Sequence, residues 1–492
     1  MRVHIVFGLL LVLFGATIAM IAGRDRVAHT APAPVAGPAA LSAVAIAPTI
    51  ASGSASTVTA AGASVQLMDR PLRTITLGWD LAAPAVLANG GLEPSDRSDF
   101  SAAGVRTHVR PVDAMSAVEA ALARDGTDKD GADIAVVPFS DLVASYERLR
   151  ALSPEVFFVV GWSRGREALV STRDALPPPV PANPAPPPAD RAAVSMVGTA
   201  GEAAAFLGLF ALDANGTPPG SVHLVPQGPN LDDPPLAAID RDASSDTARH
   251  NVLLTTADAS RLVPFVAVAQ RQMLESHGKA FAAWARVWVE ATGKLDKDPT
   301  TAARTIATVP GAPEPIALLR RLGEMAPASL HDNARAFGLS GRGALTLEAL
   351  FQQAWRIWRA VGVLATPAPE ATPVDSAIVA ALVRASPSLV PAPKPKATAP
   401  AADSLKVLIT FRQPDGKVDA ATLLATAGLL ADVFDRSSLR ISVTKGGVVD
   451  ATATRHLLDD VVQRFDVAPE RLIVARKAPP RTGAAIEILV AP

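Results

Sequence analysis

Three short stretches of small or polar residues each separate a strand-like run from a helix-like run, and these stretches could bind a ligand. The residues are Trp79 and Asp80 after TITLG, Phe139 and Ser140 after DIAVVP, and Gly198, Thr199 and Ala200 after AAVSMV. The first turn of a helix leaves backbone amides without helical partners, and these amides attract anions and carbonyl oxygens. In an open α/β sheet such turns meet at the carboxyl ends of the strands. We therefore expect them to share one cleft, although ordinary helix capping would explain any one of them alone.

A fourth candidate is the stretch FFVVGWSRGREALVST at residues 157–172, in which a polar turn interrupts two apolar runs. Each run is too short for a helix and has the composition of a strand that is covered on both faces. The turn is either a structural corner or the rim of a ligand cleft. In a cleft, Trp162 would form an apolar wall, and Ser163 and Arg164 would make polar contacts. Arg164 or Arg166 would also suit an anionic ligand.

The sequence motifs of catalysis and metal binding are missing. There is no cysteine, and the eight histidines form no HExxH pair. No GxSxG, Walker A or GxGxxG motif occurs, and GLSGRG at 338–343 precedes a helix instead of following a strand, unlike a phosphate loop. His331 beside Asp332 is most simply a pair at a helix end. We therefore expect a binding protein without catalytic residues, metal or cofactor, in preference to an enzyme.

The charge balance gives no reason to expect nucleic acid as a partner. The 492-residue chain has 46 Lys and Arg and 47 Asp and Glu side chains, a net charge of -1. No basic stripe with interleaved aromatic residues occurs. A chain of this length usually folds as two or three units. The lack of cysteine excludes disulfides and a lipid-modified cysteine but leaves the compartment open.

The N-terminus indicates a membrane location. Residues 5–23 form an uncharged run of 19 residues, about 28 Å as a helix, which is long enough to cross the hydrocarbon of a bilayer. The run is longer than a typical signal-peptide core and has a poor cleavage site, so we favour an uncleaved anchor at 1–26 over a cleaved signal. Residues 27–71 are rich in Ala, Pro, Ser and Gly and are expected to form a disordered linker.

From residue 72, strand-like and helix-like segments alternate, which indicates an α/β fold with a mostly parallel sheet. A proline-rich excursion at 176–190 interrupts the pattern, and from residue 262 the chain is strongly helical. Four tryptophans in the helical part recur at spacings of three or four and predict helix packing rather than a ligand box. These are Trp284, Trp288, Trp355 and Trp358.

Four segments, in their order and spacing, resemble the solute-binding proteins of ABC transporters of the nitrate, sulfonate and taurine type. The segments are TITLGWDLAAPAVLANGGLEP, ADIAVVPFSDL, VVGWSRGREALVS and VSMVGTAGEAAAFLGLFAL. The resemblance is strongest to a subgroup in which a phosphate-type substrate-binding domain is fused to an OmpA-like domain, and HDNARAFGL and AWRIWRAVG also fit its later helices. It covers about residues 72–385.

This resemblance implies a type II periplasmic-binding-protein fold, with two α/β lobes that close on a small, anionic ligand, and an ABC permease as partner. Lobe one would comprise residues 72–175 and the helices after 262, and lobe two would comprise about 190–262. The sequence departs from the family in two places. The proline-rich excursion replaces the usual connection between the lobes, and ASSDTARHNVLLTTADA lacks the usual Trp-Glu-Pro-like return to lobe one.

After a Pro/Ala linker at 386–403, residues 404–492 are expected to form a small α/β domain. TATRHLLDDVVQRFDVAPERLIVA resembles the OmpA-like family, which implies that Arg455 contacts peptidoglycan. The aspartate of that family's GHTD turn has no counterpart in register here, and Asp450 in TKGGVVD is the nearest acid. A folded spacer that binds nothing is the alternative.

Two functions follow from the sequence. The first is a single-pass protein of the bacterial inner membrane whose periplasmic domains capture a small anion by lobe closure, for ABC-type uptake or sensing. The second is an envelope scaffold that uses a degenerate binding fold to hold a partner protein and its last domain to meet the cell wall. An open cleft with a polar mouth would favour the first function, and a cleft packed shut by side chains would favour the second.

Overall fold

The computed structural model describes residues 66–179, 194–226, 236–240, 251–341, 343, 345–385, 405–414, 419–445, 448–475 and 482–490. The predicted membrane anchor at 1–26, nearly all of the linker at 27–71 and the linker at 386–403 lie outside the described residues. Among the helices that are described, none has the length and apolar character needed to cross a bilayer.

The first part of the chain alternates strands and helices, as its pattern predicts. The elements are β1 (Leu72–Leu77), α1 (Trp79–Asn89), α2 (Asp99–Ala102), β2 (Thr107–Val112), α3 (Met115–Arg124), β3 (Ile134–Pro138), α4 (Phe139–Leu149) and β4 (Pro154–Ser163). The strand β3 is buried along its whole length, which explains its uninterrupted apolar sequence. On α3, the residues that turn inward, Val118, Ala121 and Leu122, follow helical spacing.

In the next part, the described residues form five strands and one α-helix. They are β5 (Glu167–Ser171), β6 (Val194–Val197), α5 (Ala203–Ala214), β7 (Val222–Val225), β8 (Leu236–Asp240) and β9 (Asn251–Thr255). The helix α5 consists mainly of Ala, Leu and Phe, and ten of its twelve residues are buried. A helix that is apolar all round has to be covered on all sides, so α5 marks the centre of this part of the protein.

One further strand precedes the helical part of the chain. The elements are β10 (Pro264–Gln270), α6 (Arg271–Lys297), α7 (Pro299–Ile306), α8 (Pro315–Gly323), β11 (Met325–Pro327), α9 (Leu330–Ala336), α10 (Leu347–Ala360) and α11 (Ala377–Ala385). The predicted core role of the four tryptophans is confirmed, since all four are buried. Trp284 and Trp288 stack with ring centroids 4.6 Å apart.

These strands form two sheets of the same design. The first has the order β11-β4-β10-β3-β1-β2, and the second has the order β7-β6-β8-β5-β9. In the first, β1, β2 and β3 are parallel and β10 runs antiparallel between β3 and β4. In the second, β6, β7 and β8 are parallel and β5 runs antiparallel between β8 and β9. We call the first sheet with its helices lobe one and the second sheet with α5 lobe two.

The chain crosses between the lobes twice. The first crossing, residues 164–166, joins β4 to β5, and the second crossing, residues 256–263, joins β9 to β10. The strand that follows each crossing, β5 or β10, becomes the inner antiparallel strand of the sheet that the chain enters. The predicted mixed α/β architecture is confirmed. Residues 167–171, which the sequence analysis placed in lobe one, belong to the sheet of lobe two.

The C-terminal domain contains β12 (Lys406–Pro414), α12 (Ala420–Val433), β13 (Ser438–Lys445), β14 (Val448–Val449), α13 (Ala451–Phe465), β15 (Leu472–Val474) and β16 (Thr482–Val490). Its sheet has the order β12-β16-β13-β14, with β15 parallel to β13. Its buried residues, including Leu430 and Phe434, join the same apolar cluster as Trp162 and Phe206 of the lobes. The domain is therefore packed against the lobes by apolar contacts.

Candidate functional site

We call the region where the two crossings meet the starts of α1, α4 and α5 the junction between the lobes. The helix α1 begins there. Its N-cap is Gly78, whose φ of 102° suits glycine, and a Cβ there would lie 2.7 Å from Asp80 Oδ1. No side chain caps the helix. Asp80 is buried and accepts a hydrogen bond of 2.7 Å from Arg166 Nη2. The predicted pair Trp79 and Asp80 therefore contributes a carboxylate that is already paired with the first crossing.

Arg166 lies at the centre of the junction and is only 9% exposed. Besides Asp80 of lobe one, its guanidinium faces Asp240 of lobe two, with Nε 4.0 Å from Oδ2. It also lies over the ring of Phe265, 5.5 Å from the centroid. Asp240 is further paired with Arg321, at 3.0 and 3.1 Å. Arg166 therefore connects the carboxylates of both lobes.

A buried network ties the two crossings together. Ser163 and Thr256 both donate to the Glu167 carboxyl, Thr256 at 3.1 Å, and their hydroxyl oxygens lie 3.0 Å apart. The amide of Gly165 donates to Thr256 Oγ1 at 2.8 Å. Burial raises the pKa of Glu167, although Arg166 and the hydroxyl hydrogen bonds act in the opposite direction. The predicted residue Ser163 thus belongs to a hinge network rather than to an open cleft rim.

The start of α4 meets the same junction. No side chain caps this helix, whose N-cap is Pro138. Ser140 Oγ donates to Asp141 Oδ1 at 2.9 Å, and Ser140 O accepts from Trp358 Nε1 at 3.0 Å. Burial holds the pKa of Asp141 well above its usual range, and the nearby Glu167 and Glu202 carboxyls add to this effect. Phe139 turns away into the core against Phe351, with centroids 6.3 Å apart.

The turn before α5 brings lobe two against lobe one. Gly198 is buried, whereas Thr199 and Ala200 are exposed. A Cβ on Gly201 would lie 3.4 Å from the Cβ of Ala144 in α4, so the turn touches lobe one. The N-cap of α5 is Glu202, which makes no side-chain cap, and partial burial raises its pKa. All three predicted turns therefore open helices without side-chain caps.

Trp162 does not form the expected apolar wall of a cleft, and Arg164, expected to make a polar contact to the ligand, is exposed. Trp162 is 4% exposed, belongs to the apolar core, and lies under the guanidinium of Arg261 at 5.0 Å. Arg164 is exposed, and its amide donates to Glu324 O at 2.8 Å. The WSRG stretch comprises the end of β4 and the start of the first crossing, so it joins the two sheets. Within the fourth candidate, the residues that make hydrogen bonds at the junction are Ser163, Gly165, Arg166 and Glu167.

Several charged residues of the junction, which stand at the ends of strands or in the first turn of a helix, were not among the predicted site residues. A charge within a buried strand is a signal that sequence reasoning could have used, since isolated buried charges require partners. Glu167 opens EALVS, Asp240 ends LAAID, and Asp141 follows Ser140. Arg321 and Thr256 gave no such signal, since one lies on a helix and the other just after a strand.

The junction is packed by its own side chains and is acid-rich. Six carboxyl groups and two guanidinium groups meet there, and four of these eight side chains are buried. The carboxyl groups are Asp80, Asp141, Glu167, Glu202, Asp240 and Glu324, and the guanidinium groups are Arg166 and Arg321. A surface cavity of about 520 Å³ in the described part of the chain lies elsewhere, between α1, α6 and α7.

A second contact between the lobes is made by α10. Its Trp358 donates to Ser140 of lobe one and packs against Phe206 of lobe two, with ring centroids 5.9 Å apart. Arg356 on the same helix pairs with Asp213 at the end of α5. Because α10 is packed against both α4 and α5, it resists separation of the lobes in this conformation.

In the C-terminal domain, Arg455 is exposed on α13. Asp450 is the acid that comes nearest in the sequence to the aspartate of the OmpA-like family's turn. It is the N-cap of α13 and accepts hydrogen bonds from the amides of Thr452 and Ala453 at 3.1 and 2.9 Å. Asp450 therefore stabilises the start of the helix and does not act as the acidic partner of Arg455, which lies on the surface. Within the described ranges, no three His, Asp or Glu side chains are grouped to hold a metal.

Solved structures similar to this chain include proteins that bind sulfonate or nitrate. The alkanesulfonate-binding protein SsuA from Xanthomonas axonopodis pv. citri, bound to MOPS, is 16% identical over 60% of this chain and 94% of its own, with a TM-score of 0.39. A putative periplasmic sulfonate-binding protein SsuA from Methylobacillus flagellatus is 13% identical over 65% and 96%, with a TM-score of 0.42. The periplasmic nitrate-binding protein NrtA from Synechocystis is 12% identical over 49% and 67%, with a TM-score of 0.35.

Because these TM-scores lie below 0.5, the likeness alone decides neither the ligand nor the function of this chain. No protein-family model matches the sequence, and no curated protein matches it.

Proposed function

We propose that this chain is a two-lobed solute-binding protein of the bacterial envelope, which captures a small anionic ligand between its lobes for ABC-type uptake or sensing. The observation that supports this most directly is the convergence of three helix starts without side-chain caps, α1, α4 and α5, on a junction that also holds Arg166. Lobe closure requires two lobes joined by short connections. The two sheets share one strand order, apart from the additional β11, and are joined by two short crossings.

The ligand would bind by bridging the lobes. Amides at the starts of α1 and α4 belong to lobe one, and those of α5 belong to lobe two, so an anion held by both sets stabilises the closed state. Such a ligand shifts the equilibrium between open and closed states only by its preference for the closed one. Arg166 supplies a positive charge once its hydrogen bond to Asp80 is exchanged for one to the ligand.

The acid-rich surroundings make anion binding depend on protons. Burial raises the pKa of Asp141, Glu167 and Glu202, and a protonated carboxyl can donate a hydrogen bond to an anion. An ionised carboxyl at the same place repels the anion. We therefore expect anions to bind more tightly as the pH falls towards the ordinary carboxyl value of 4.5.

Thermal unfolding in the presence of sulfate, nitrate or ethanesulfonate tests the proposal. A ligand that binds the folded state raises the midpoint, by at least about 2 °C at concentrations well above Kd. The effect should be larger at pH 5.5 than at pH 8, absent in Arg166→Gln, and retained in Arg164→Gln, the control on the exposed side of the same crossing. Circular dichroism would confirm that both variants fold. Equal midpoints with and without every probe at both pH values would refute anion capture.

The remaining parts of the proposal concern location. We assign residues 5–23 as a single-pass anchor of the inner membrane, with the folded domains in the periplasm, and an ABC permease as partner. We assign Arg455 as a contact to peptidoglycan. Cosedimentation with insoluble peptidoglycan should be lost in Arg455→Ala and kept in Arg464→Ala, which removes an exposed arginine from the same helix. Equal sedimentation of both variants would contradict the wall contact.

The packed junction favours a second function, an envelope scaffold that binds a partner protein and does not capture solute. The buried network around Glu167 and the packing of α10 on both lobes favour this alternative. If no anion stabilises the protein, and cross-linking from residues on the exposed faces of the lobes instead captures one defined envelope protein, the scaffold function replaces the first.

A further inference from the structure

The C-terminal domain contacts the second crossing through the end of α12. Ser260 Oγ and Arg261 Nε both donate to the Asp435 carboxylate, Arg261 at 3.2 Å. The Arg261 amide donates to Val433 O at 3.2 Å. Arg261 Nη2 also pairs with Asp332 of lobe one at 2.8 Å. One arginine of the crossing therefore bonds to lobe one and to the C-terminal domain at once.

A second contact joins the same part of the C-terminal domain to lobe one. Asp432 is 4% exposed, and its two carboxylate oxygens accept from Arg335 on α9 and from the amide of Leu345, the latter at 2.9 Å. The helix α9 is itself fixed to β4, because Asn333 accepts from the Val159 amide at 2.7 Å and donates to the Val159 carbonyl at 2.9 Å. Asp432 is thus anchored to the sheet of lobe one.

The domain also reaches lobe two. The amide of Thr410 on β12 donates to Asn215 Oδ1, just after α5, at 3.3 Å. Leu212 of α5 belongs to the same apolar cluster as Ile409 and Leu430 of the domain. The C-terminal domain therefore contacts lobe one, lobe two and the crossing between them.

The second crossing links these contacts to the junction. Thr256 at its beginning bonds to the Glu167 carboxyl and to the Gly165 amide, and Ser260 and Arg261 further along bond to the C-terminal domain. Rotation of one lobe against the other has to change the backbone of this short segment. With Ser260 and Arg261 held by Asp435, that change is opposed. We propose that the C-terminal domain is a latch, which holds the lobes closed while docked and lets them open when it leaves.

The latch inference rests on lobe movement in the proposed function but does not depend on the ligand. The chain has no cysteine, so spin labels can be placed at chosen pairs without removing native residues. The pair Lys129→Cys and His223→Cys, both exposed, reports the distance between the lobes. The pair Lys279→Cys and Gln463→Cys, also exposed, reports docking of the C-terminal domain on lobe one.

Pulsed electron paramagnetic resonance on the full chain compares two double variants. Asp432→Asn with Asp435→Asn removes the two carboxylates of the latch, and Asp459→Asn with Asp460→Asn makes the same chemical change on α13, outside these contacts. We expect the first variant to undock and its open-to-closed ratio to rise at least about tenfold, about 1.4 kcal/mol. The control should retain the distances of the unmodified protein.

Three results separate the possible explanations. Undocking with an unchanged lobe distance overturns the latch and leaves solute capture intact. An unchanged docking distance also overturns it, because these carboxylates then do not hold the domain. Lobes that open on undocking, but which no anion closes again, support the latch and count against the proposed function. Arg335→Gln with Asp435→Asn, which alters one side chain on each side of the interface, repeats the test if the first variant does not fold.

Discussion

The two interfaces that meet at the crossings differ in how their charges are neutralised. At the lobe junction, six carboxyl groups meet two guanidinium groups, and burial raises the pKa of Asp141 and Glu167. The docking face is the surface where the C-terminal domain meets lobe one and the second crossing. Its acids, Asp332, Asp432 and Asp435, each have an arginine partner. Burial acts to raise the pKa of Asp332 there, but Arg261 and Ser329 outweigh it and hold the pKa below its ordinary value of 3.8.

The difference means that protons act on the two interfaces in opposite directions. A carboxyl whose folded pKa is raised stabilises the fold below its unfolded pKa, and this stability is lost as the pH rises through the folded value. A carboxyl whose folded pKa is lowered stabilises the fold above its unfolded pKa, and this stability is lost as the pH falls through the folded value. The junction is therefore strongest in acid, and the docking face is strongest near neutral pH.

Breaking the central junction pair should have the largest effect. Arg166→Met leaves the buried Asp80 without its hydrogen bond, and we expect the free energy of unfolding in urea to fall by about 3 kcal/mol. Adding Asp80→Ala should restore part of that loss, because the unpaired carboxylate is then gone. Losses that simply add in the double variant would show that the two side chains do not interact.

Breaking the docking face should cost somewhat less. Arg261→Ala removes the partner of Asp332 and Asp435, but these side chains are partly exposed, so we expect a loss of about 2 kcal/mol at pH 7. The loss should shrink as the pH falls below the ordinary carboxyl value of 3.8 and through the lowered folded pKa of Asp332, because a protonated Asp332 no longer attracts Arg261. The matched control is Arg359→Ala at an exposed position on α10, with an expected change below about 0.5 kcal/mol.

Neutralising a junction acid should stabilise the protein at neutral pH. Glu167→Gln keeps an oxygen that accepts from Ser163 and Thr256 and removes the need to bury a charge, so we expect a gain of about 1 kcal/mol at pH 7. The gain should disappear below the ordinary carboxyl value of 4.5, where Glu167 is protonated in both states. The same substitution at partly buried Glu119 serves as a control, since Arg148 lowers the pKa of Glu119 and its loss should therefore reduce stability at pH 7.

The smallest effect is expected at the rim of the junction. Arg321 pairs with Asp240 and Glu324, but about a quarter of its side chain and about a third of that of Asp240 are exposed. Solvent screens such pairs, so Arg321→Gln should cost at most about 1 kcal/mol and should depend on salt. A cost equal to that of Arg166→Met would mean that the rim is as tightly held as the centre.

The fold could be predicted from the sequence further than the site could. The turns after TITLG, DIAVVP and AAVSMV each open a helix, because a strand period changes to a helical period there. The structure places Asp80 and Ser140 at the junction and Gly198 inside lobe two against Ala238, and a shared ligand site at these turns stays a prediction. Trp162 and Phe139 show the limit, since a large aromatic residue beside a turn has the same local sequence whether it faces a cleft or the core.

The sequence by itself determined the period of each segment and hence the order of strands and helices, because alternation and helical spacing are local properties of the chain. Tertiary structure alone decided that β5 leaves lobe one, that Arg166 meets Asp80 and Asp240, and that Arg261 lies between lobe one and the C-terminal domain. These pairs are separated by up to 174 positions along the chain, as for Arg261 and Asp435. Contacts at such separations depend on how whole sheets pack, and no local pattern records that packing.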